Sequence, residues 1–226
     1  MALNAPKPDE APSGMRGNKD EAMTVRQHEP IRELNPLKPL LDLDSWARPL
    51  ARPIYGQGFF HVSREAIFYT IVFDYADEEM EYQRLLSGPP EALRAEEERL
   101  RSEMQSLMDS ERVIINGERV RPRVIAARAE VRGEPRRSTA TFLVEMPWRP
   151  RTGVNVYEDF YEPDVAEYDY VVYWLMPPCA SIRSYEMPGR ARVEGRLLEV
   201  KVRAGTRVEG YESIAFELPE GCLTAP

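Results

Sequence analysis

The chain has 226 residues, enough for one sizeable core, and its 42% hydrophobic and 30% charged content matches an ordinary soluble globular protein. A net charge of -8 works against whole-molecule binding to nucleic acid, whose phosphates need concentrated positive charge. No apolar run reaches the roughly 18–20 residues that span a bilayer, and no apolar leader is apparent at the N-terminus, so the expected compartment is the cytoplasm.

Residues 1–30 are almost wholly polar and proline-rich, the composition of a disordered tail. Residues 31–54 place Leu34, Leu37, Leu40, Leu41, Leu43, Trp46, Leu50 and Ile54 between prolines, which predicts an extended apolar arm that needs a surface to lie on. A globular domain is expected over 55–226. Within it Ala66–Tyr75, rich in β-branched and aromatic residues, reads as a buried strand. Ser87-Gly88-Pro89-Pro90-Glu91 marks a helix start, predicting a helix near 90–109 with a thin apolar stripe of Leu93, Leu100, Met104, Leu107 and Met108 that covers one side of a sheet. Glu97 interrupts that stripe, and Glu97 with Arg101 and Arg94 with Glu98 are spaced as i,i+4 pairs.

Asn116-Gly117 between Val113-Ile114-Ile115 and Val120 is a strong hairpin signal. Further strands are predicted at 122–131, 138–146, 152–157, 167–175, 191–202 and 212–218, separated by proline and glycine turns. The expected architecture is α+β, mainly β: an antiparallel β-sandwich-like domain with one covering helix and an extended N-terminal arm.

Common catalytic motifs are missing. The chain has two histidines, His28 in the tail and His61 before the first predicted core strand, so a Ser-His-Asp triad could draw only on His61. It contains no G-x-x-x-x-G-K-[ST] phosphate loop and no G-x-G-x-x-G after a strand. Two cysteines, Cys179 and Cys222, fall short of a four-ligand zinc site and are expected as free thiols in a reducing compartment. No catalytic residue, metal site or cofactor is therefore assigned. Four lysines against 26 arginines fit GC-rich coding, and the few Asn and Gln fit a thermophile.

The stretch Tyr157–Tyr170 is the most distinctive. It holds Glu158, Asp159, Glu162, Asp164, Glu167 and Asp169 together with Tyr157, Phe160, Tyr161, Tyr168 and Tyr170. Carboxylates resist unpaired burial, so the stretch reads as an exposed, negatively charged, aromatic surface. Residues 112–137, in contrast, carry eight arginines, among them Arg132, Arg136 and Arg137. Opposed patches of this kind suit head-to-tail association, whereas cross-strand pairing would neutralise them within one sheet. The sequence thus points to a non-enzymatic binding or assembly protein with a protein partner or self-association. Its interaction surface would include Tyr157, Glu158, Asp159, Phe160, Tyr161, Glu162, Asp164, Arg132, Arg136, Arg137 and Trp46. The alternatives are a carboxylate-based enzyme or binding module for carbohydrate, and a nucleic-acid-associated protein using the Arg-rich hairpins. The last is disfavoured because 112–137 has no aromatic residue for base stacking.

Overall fold

The computed structural model describes residues 51–222, so the tail, His28, Trp46 and the arm up to residue 50 lie outside the described residues. The described residues open with β1 (Ala51–Val62) and β2 (Ala66–Asp77), followed by a short helix α1 (Glu81–Leu86) and a long one, α2 (Pro90–Ser110). Next come β3 (Arg112–Ile115), β4 (Glu118–Val120), β5 (Arg123–Val131), β6 (Arg137–Pro147) and β7 (Gly153–Phe160). After the two-residue β8 (Asp164–Val165) lie β9 (Asp169–Leu175), β10 (Ser181–Glu186), β11 (Arg190–Glu194), β12 (Leu197–Val202), β13 (Arg207–Val208) and β14 (Tyr211–Leu218).

These strands form a seven-stranded sheet in the order β11-β12-β9-β1-β2-β6-β5, a five-stranded sheet in the order β10-β14-β7-β3-β4, and a small β8–β13 ribbon. Apart from β1 and β9, which run parallel, every ladder is antiparallel. The mainly β, α+β architecture is the one the alternating sequence predicts.

Several expectations shift in detail. Strand β1, described from Ala51, takes in the last residues assigned to the arm and so precedes Tyr55. Its prolines and glycines disguise it. Pro53 is tolerated because it sits at a register shift, before pairing with β9 begins at Tyr55. The predicted strand 191–202 is a hairpin, β11–β12, which turns at Gly195 with φ 59°. β10 and α1 had no clear sequence signal. Asn116 and Gly117, at φ 54° and 84°, make the predicted tight turn between β3 and β4.

On the large sheet the core-facing positions line up in rows across the strands. Val202, Tyr170, Gly56, Phe73 and Ala140 form one row; Val200, Val172, Gly58, Ile71 and Phe142 the next; Leu198, Trp174, Phe60, Tyr69 and Val144 the third. On the small sheet the facing rows are Val113, Asp159 and Glu212, then Ile115, Tyr157 and Ile214. The two inner faces meet at Tyr157 and Trp174, whose ring centroids are 4.7 Å apart, and at Trp148 and Phe216, at 5.7 Å. Trp148 also donates its indole N–H to the Ser63 carbonyl at 2.9 Å.

Helix α2 buries Leu100, Met104, Leu107 and Met108. It also closes the edge of the large sheet. The Gln105 side chain accepts the Val124 N–H at 2.8 Å and donates to the Pro122 carbonyl at 3.1 Å, while the Glu97 carboxylate accepts the Ala129 N–H at 3.3 Å. Both residues thus occupy backbone groups of edge strand β5 that would otherwise stand open to another strand. The interruption at Glu97 is therefore a contact with β5, reinforced by Arg128 at 3.5 Å. The helix-surface ion pairs are also redistributed. Arg94 joins Glu91, Arg101 joins Glu98, and Arg99 spans Glu96 and Glu103.

Candidate functional site

A cavity of about 200 Å³ lies between the two sheets and α2. Its origin is visible in the rows of the large sheet. On β1 the third row is filled by Phe60, stacked on Trp174 at 4.1 Å and on Tyr69 at 4.4 Å, but the two preceding rows carry Gly56 and Gly58. A Cβ added at Gly56 would meet Tyr170 Cβ at 3.1 Å and a Tyr168 ring carbon at 3.3 Å; one at Gly58 would meet Phe60 at 3.3 Å and Val172 at 3.5 Å. At Gly56 the rings of Tyr168 and Phe73 close over the backbone, at Gly58 the Phe60 ring and Val172 flank it, and both glycines line the gap. Ile71, Phe73, Val172, Met104, Leu107 and Met108 supply apolar walls.

The wall formed by the small sheet is polar. β7 alternates strictly, turning Asn155, Tyr157 and Asp159 inward while Val154, Val156, Glu158 and Phe160 point the other way. β14 sets Glu212 directly opposite Asp159. Directly opposed residues of an antiparallel pair hold their Cβ atoms about 4.5–5.5 Å apart. Glu111, one residue before β3, also reaches this cavity. Three carboxyl groups therefore line one cavity, where like charges repel, and among the described residues no Lys, Arg or His lines the space.

Burial pushes the Glu212 carboxyl up to about 8, with the Asp159 charge adding to the effect. Burial likewise lifts Asp159 to about 6, opposed by its hydrogen bond from the Tyr157 hydroxyl at 3.1 Å and by the neighbouring Phe160 N–H. Glu111 is held well above the usual carboxylate range, first by burial and then by Asp159 and Glu212. The hydroxyls of Tyr69, Tyr157, Tyr161 and Tyr170 are driven up by burial as well, so they remain neutral donors. Asp159 is only 7% exposed, and its Oδ1 forms no well-aligned hydrogen bond. Among the described residues no group of three His, Cys, Asp or Glu is arranged to hold a metal ion.

This geometry redistributes the residues singled out from sequence. Tyr157, Asp159 and Tyr168 are buried, so the acidic-aromatic stretch is not a continuous outer surface. Its composition concealed a two-residue alternation. Tyr157, Asp159, Tyr161 and Tyr170 line the cavity. Phe160 lies on the opposite face of the small sheet beneath the Arg112 guanidinium, 4.2 Å from its ring centroid, and near Tyr211 at 4.9 Å. Glu158 accepts the Tyr211 hydroxyl at 3.2 Å on that same side. Glu162 is exposed, while Asp164 is half-buried and receives the Val165 N–H at 2.7 Å. Glu111 and Glu212 carry no sequence signal of their own, since only strand register brings them to Asp159.

The arginines of the β5–β6 region find acids close at hand. Arg123 meets its register partner Glu145, Arg132 meets Glu130 at 3.7 Å and Arg137 meets Glu134 at 3.6 Å. Local pairing is thus the dominant pattern at these positions. Arg132, Arg136 and Arg137 themselves stand exposed at the turn between β5 and β6. A separate groove carries Arg119, Arg121, Arg149 and Arg151, but its Trp148 is buried and offers no free ring face. His61 is exposed on β1, and the Ser63 hydroxyl is committed to the β1–β2 turn through the Ala66 carbonyl at 2.7 Å. A triad built on His61 and Ser63 therefore has no support.

The cysteines depart from expectation too: Cys179 and Cys222 form a disulfide, with Cα atoms 5.8 Å apart. Pairing of β10 with β14 brings the turn before β10 beside the end of β14, and the turn closed by Cys222 N–H to the Pro219 carbonyl curls the second cysteine back. Among the described residues no helix is long and apolar enough to cross a membrane. In comparison with known proteins, no family model and no curated protein matches this chain.

Proposed function

We propose that the protein is a non-enzymatic binding module that takes a small, largely apolar molecule into the space between its sheets. The observation that carries this reading is a cavity lined by Gly56 and Gly58 of β1 beside a set of inward-facing polar groups. A volume of about 200 Å³ is below the roughly 300–1,000 Å³ of drug-sized sites, so the ligand is compact. Carbohydrate fits less well. A sugar ring needs hydrogen bonds around its rim, and the walls supplied by Ile71, Phe73, Met104, Leu107 and Met108 offer none. A hydrolytic role for the carboxyl groups would require the same sugar to enter.

The test is methyl-resolved NMR with hexanol and hexylammonium as probes, following Ile71, Met104 and Met108. Saturable shifts confined to these methyls in the native protein, and abolished in Gly58→Ile, are expected. Shifts scattered over the outer faces, or the same shifts in Gly58→Ile, would overturn the reading.

A further inference from the structure

Resting on that interior-site reading, we infer that the ligand is an organic cation, an ammonium group carrying a short apolar tail, whose charged end sits against Asp159 and Glu212. Four observations converge on this chemistry. The β7–β14 register places two carboxyl groups directly opposite each other on the inner face, and Glu111 joins them from the start of β3. Asp159 is more than nine-tenths buried, lines the cavity and has a carboxyl oxygen, Oδ1, without a hydrogen bond of proper geometry. A buried acceptor left in that state is costly, the more so when charged, and a donor arriving from the cavity removes the penalty. The remaining walls contain no base among the described residues.

Two of the neutral donors that face the carboxyl groups are already engaged. Tyr157 already gives its hydroxyl to Oδ2 of Asp159, and the Tyr69 hydroxyl is directed to the Met108 sulfur at 3.1 Å. The α2 side of the cavity contributes Met104, Leu107 and Met108, which bring no charge. Arg119 and Arg121, with Asp109, line a second pocket that shares Met108 and Glu111 with this cavity, and neither arginine lines the cavity itself. Arg112 points outward over Phe160. A cation entering from solvent supplies a counter-charge in place of the proton that the carboxyl pair holds when the cavity is empty of one. The tyrosines Tyr157, Tyr161 and Tyr170 around the same space add aromatic rings, a group type that attracts ammonium ions. The apolar tail then lies along Ile71, Val172 and the methionines.

The experiment compares hexylammonium with hexanol, two probes of matched length, in the native protein and in Asp159→Asn and Glu212→Gln. Hexylammonium is expected to bind at least about tenfold more tightly than hexanol to the native protein, the difference expected of a desolvated ion pair plus ring contacts. That preference should vanish in Asp159→Asn and shrink in Glu212→Gln, while hexanol still binds both variants and thereby reports an intact cavity. Equal binding of the two probes by the native protein, or a preference that survives Asp159→Asn, would overturn the cation assignment and leave the interior site standing. Failure of both probes to shift the Ile71, Met104 and Met108 methyls would overturn the interior site itself.

Discussion

Asp159 on β7 and Glu212 on β14 are direct cross-strand partners with both carboxyl groups turned into the core. Most sheets place such a pair on the solvent side, where water screens it. Here the repulsion is relieved by holding a proton, and this couples the fold to pH.

Glu212 moves from 4.5 to about 8 on folding and Asp159 from 3.8 to about 6, so the native state binds more protons than the unfolded chain between these limits. Their contribution is present in full at acid pH and is lost as pH rises through about 6 and then about 8. Glu111 shifts in the same direction. Urea unfolding of Glu212→Gln should show a flatter decline between about pH 4.5 and 8 than the native protein, with a gain on the order of 2–4 kcal/mol above that range. Parallel stability curves for the two proteins would count against a buried, protonated Glu212.

Asn155 offers a contrasting case of a buried polar group with every need met. It is fully buried, receives the Arg151 N–H at 3.0 Å and the Asn116 amide at 2.9 Å, and donates to the carbonyls of Arg151 and Gly153 at 2.7 and 3.1 Å. Asn116 in turn accepts the Val156 N–H at 3.0 Å and donates to the Arg149 carbonyl at 3.2 Å. The two side chains fix the loop between β6 and β7 to the β3–β4 turn. Asn155→Val should cost about 2–4 kcal/mol by denaturant unfolding, because it strands several partners at once. A loss under about 0.5 kcal/mol, the range of an ordinary surface change, would show that the network is dispensable.

The Cys179–Cys222 bridge closes a loop of 43 residues in sequence separation that includes β10 to β14. Restricting the unfolded chain over that length corresponds to about 4 kcal/mol in the loop-entropy account. Cys179→Ser, or reduction of the native protein, should lower the thermal midpoint accordingly. Thiol titration of the unreduced, denatured protein should find no free sulfhydryl; two free thiols would contradict the bridge.

The parts of this molecule legible in sequence are those governed by neighbours along the chain. The apolar run of β2, the Asn116-Gly117 turn and the proline-led start of α2 each carry their cause within a few residues. β1 was obscured because the features that make it useful, Gly56 and Gly58, are those that weaken a strand signal. The acidic stretch misled for a related reason. Six carboxylates in fourteen residues suggest solvent, yet a period of two sends Asp159 inward while Glu158 stays out. Glu111 and Glu212 are isolated acids, and their meeting with Asp159 depends on register between β3, β7 and β14. The bridge is similar, since its geometry comes from β10 lying beside β14.

The parallel ladder of β1 with β9 joins Tyr55 to Asp169 and runs to His61 with Leu175, so the cavity floor is stitched from segments far apart in the chain. Ladders of such long range must close a large loop before they return any energy, and they belong to the slow, high-contact-order part of folding. The opposite wall uses Glu212 from the last strand. The cavity walls are therefore complete only when β1, β9 and β14 are all in place. A molecule that fits the cavity would accordingly act as a ratchet at the end of folding, adding stability in proportion to the logarithm of its concentration while doing nothing for the chain before closure.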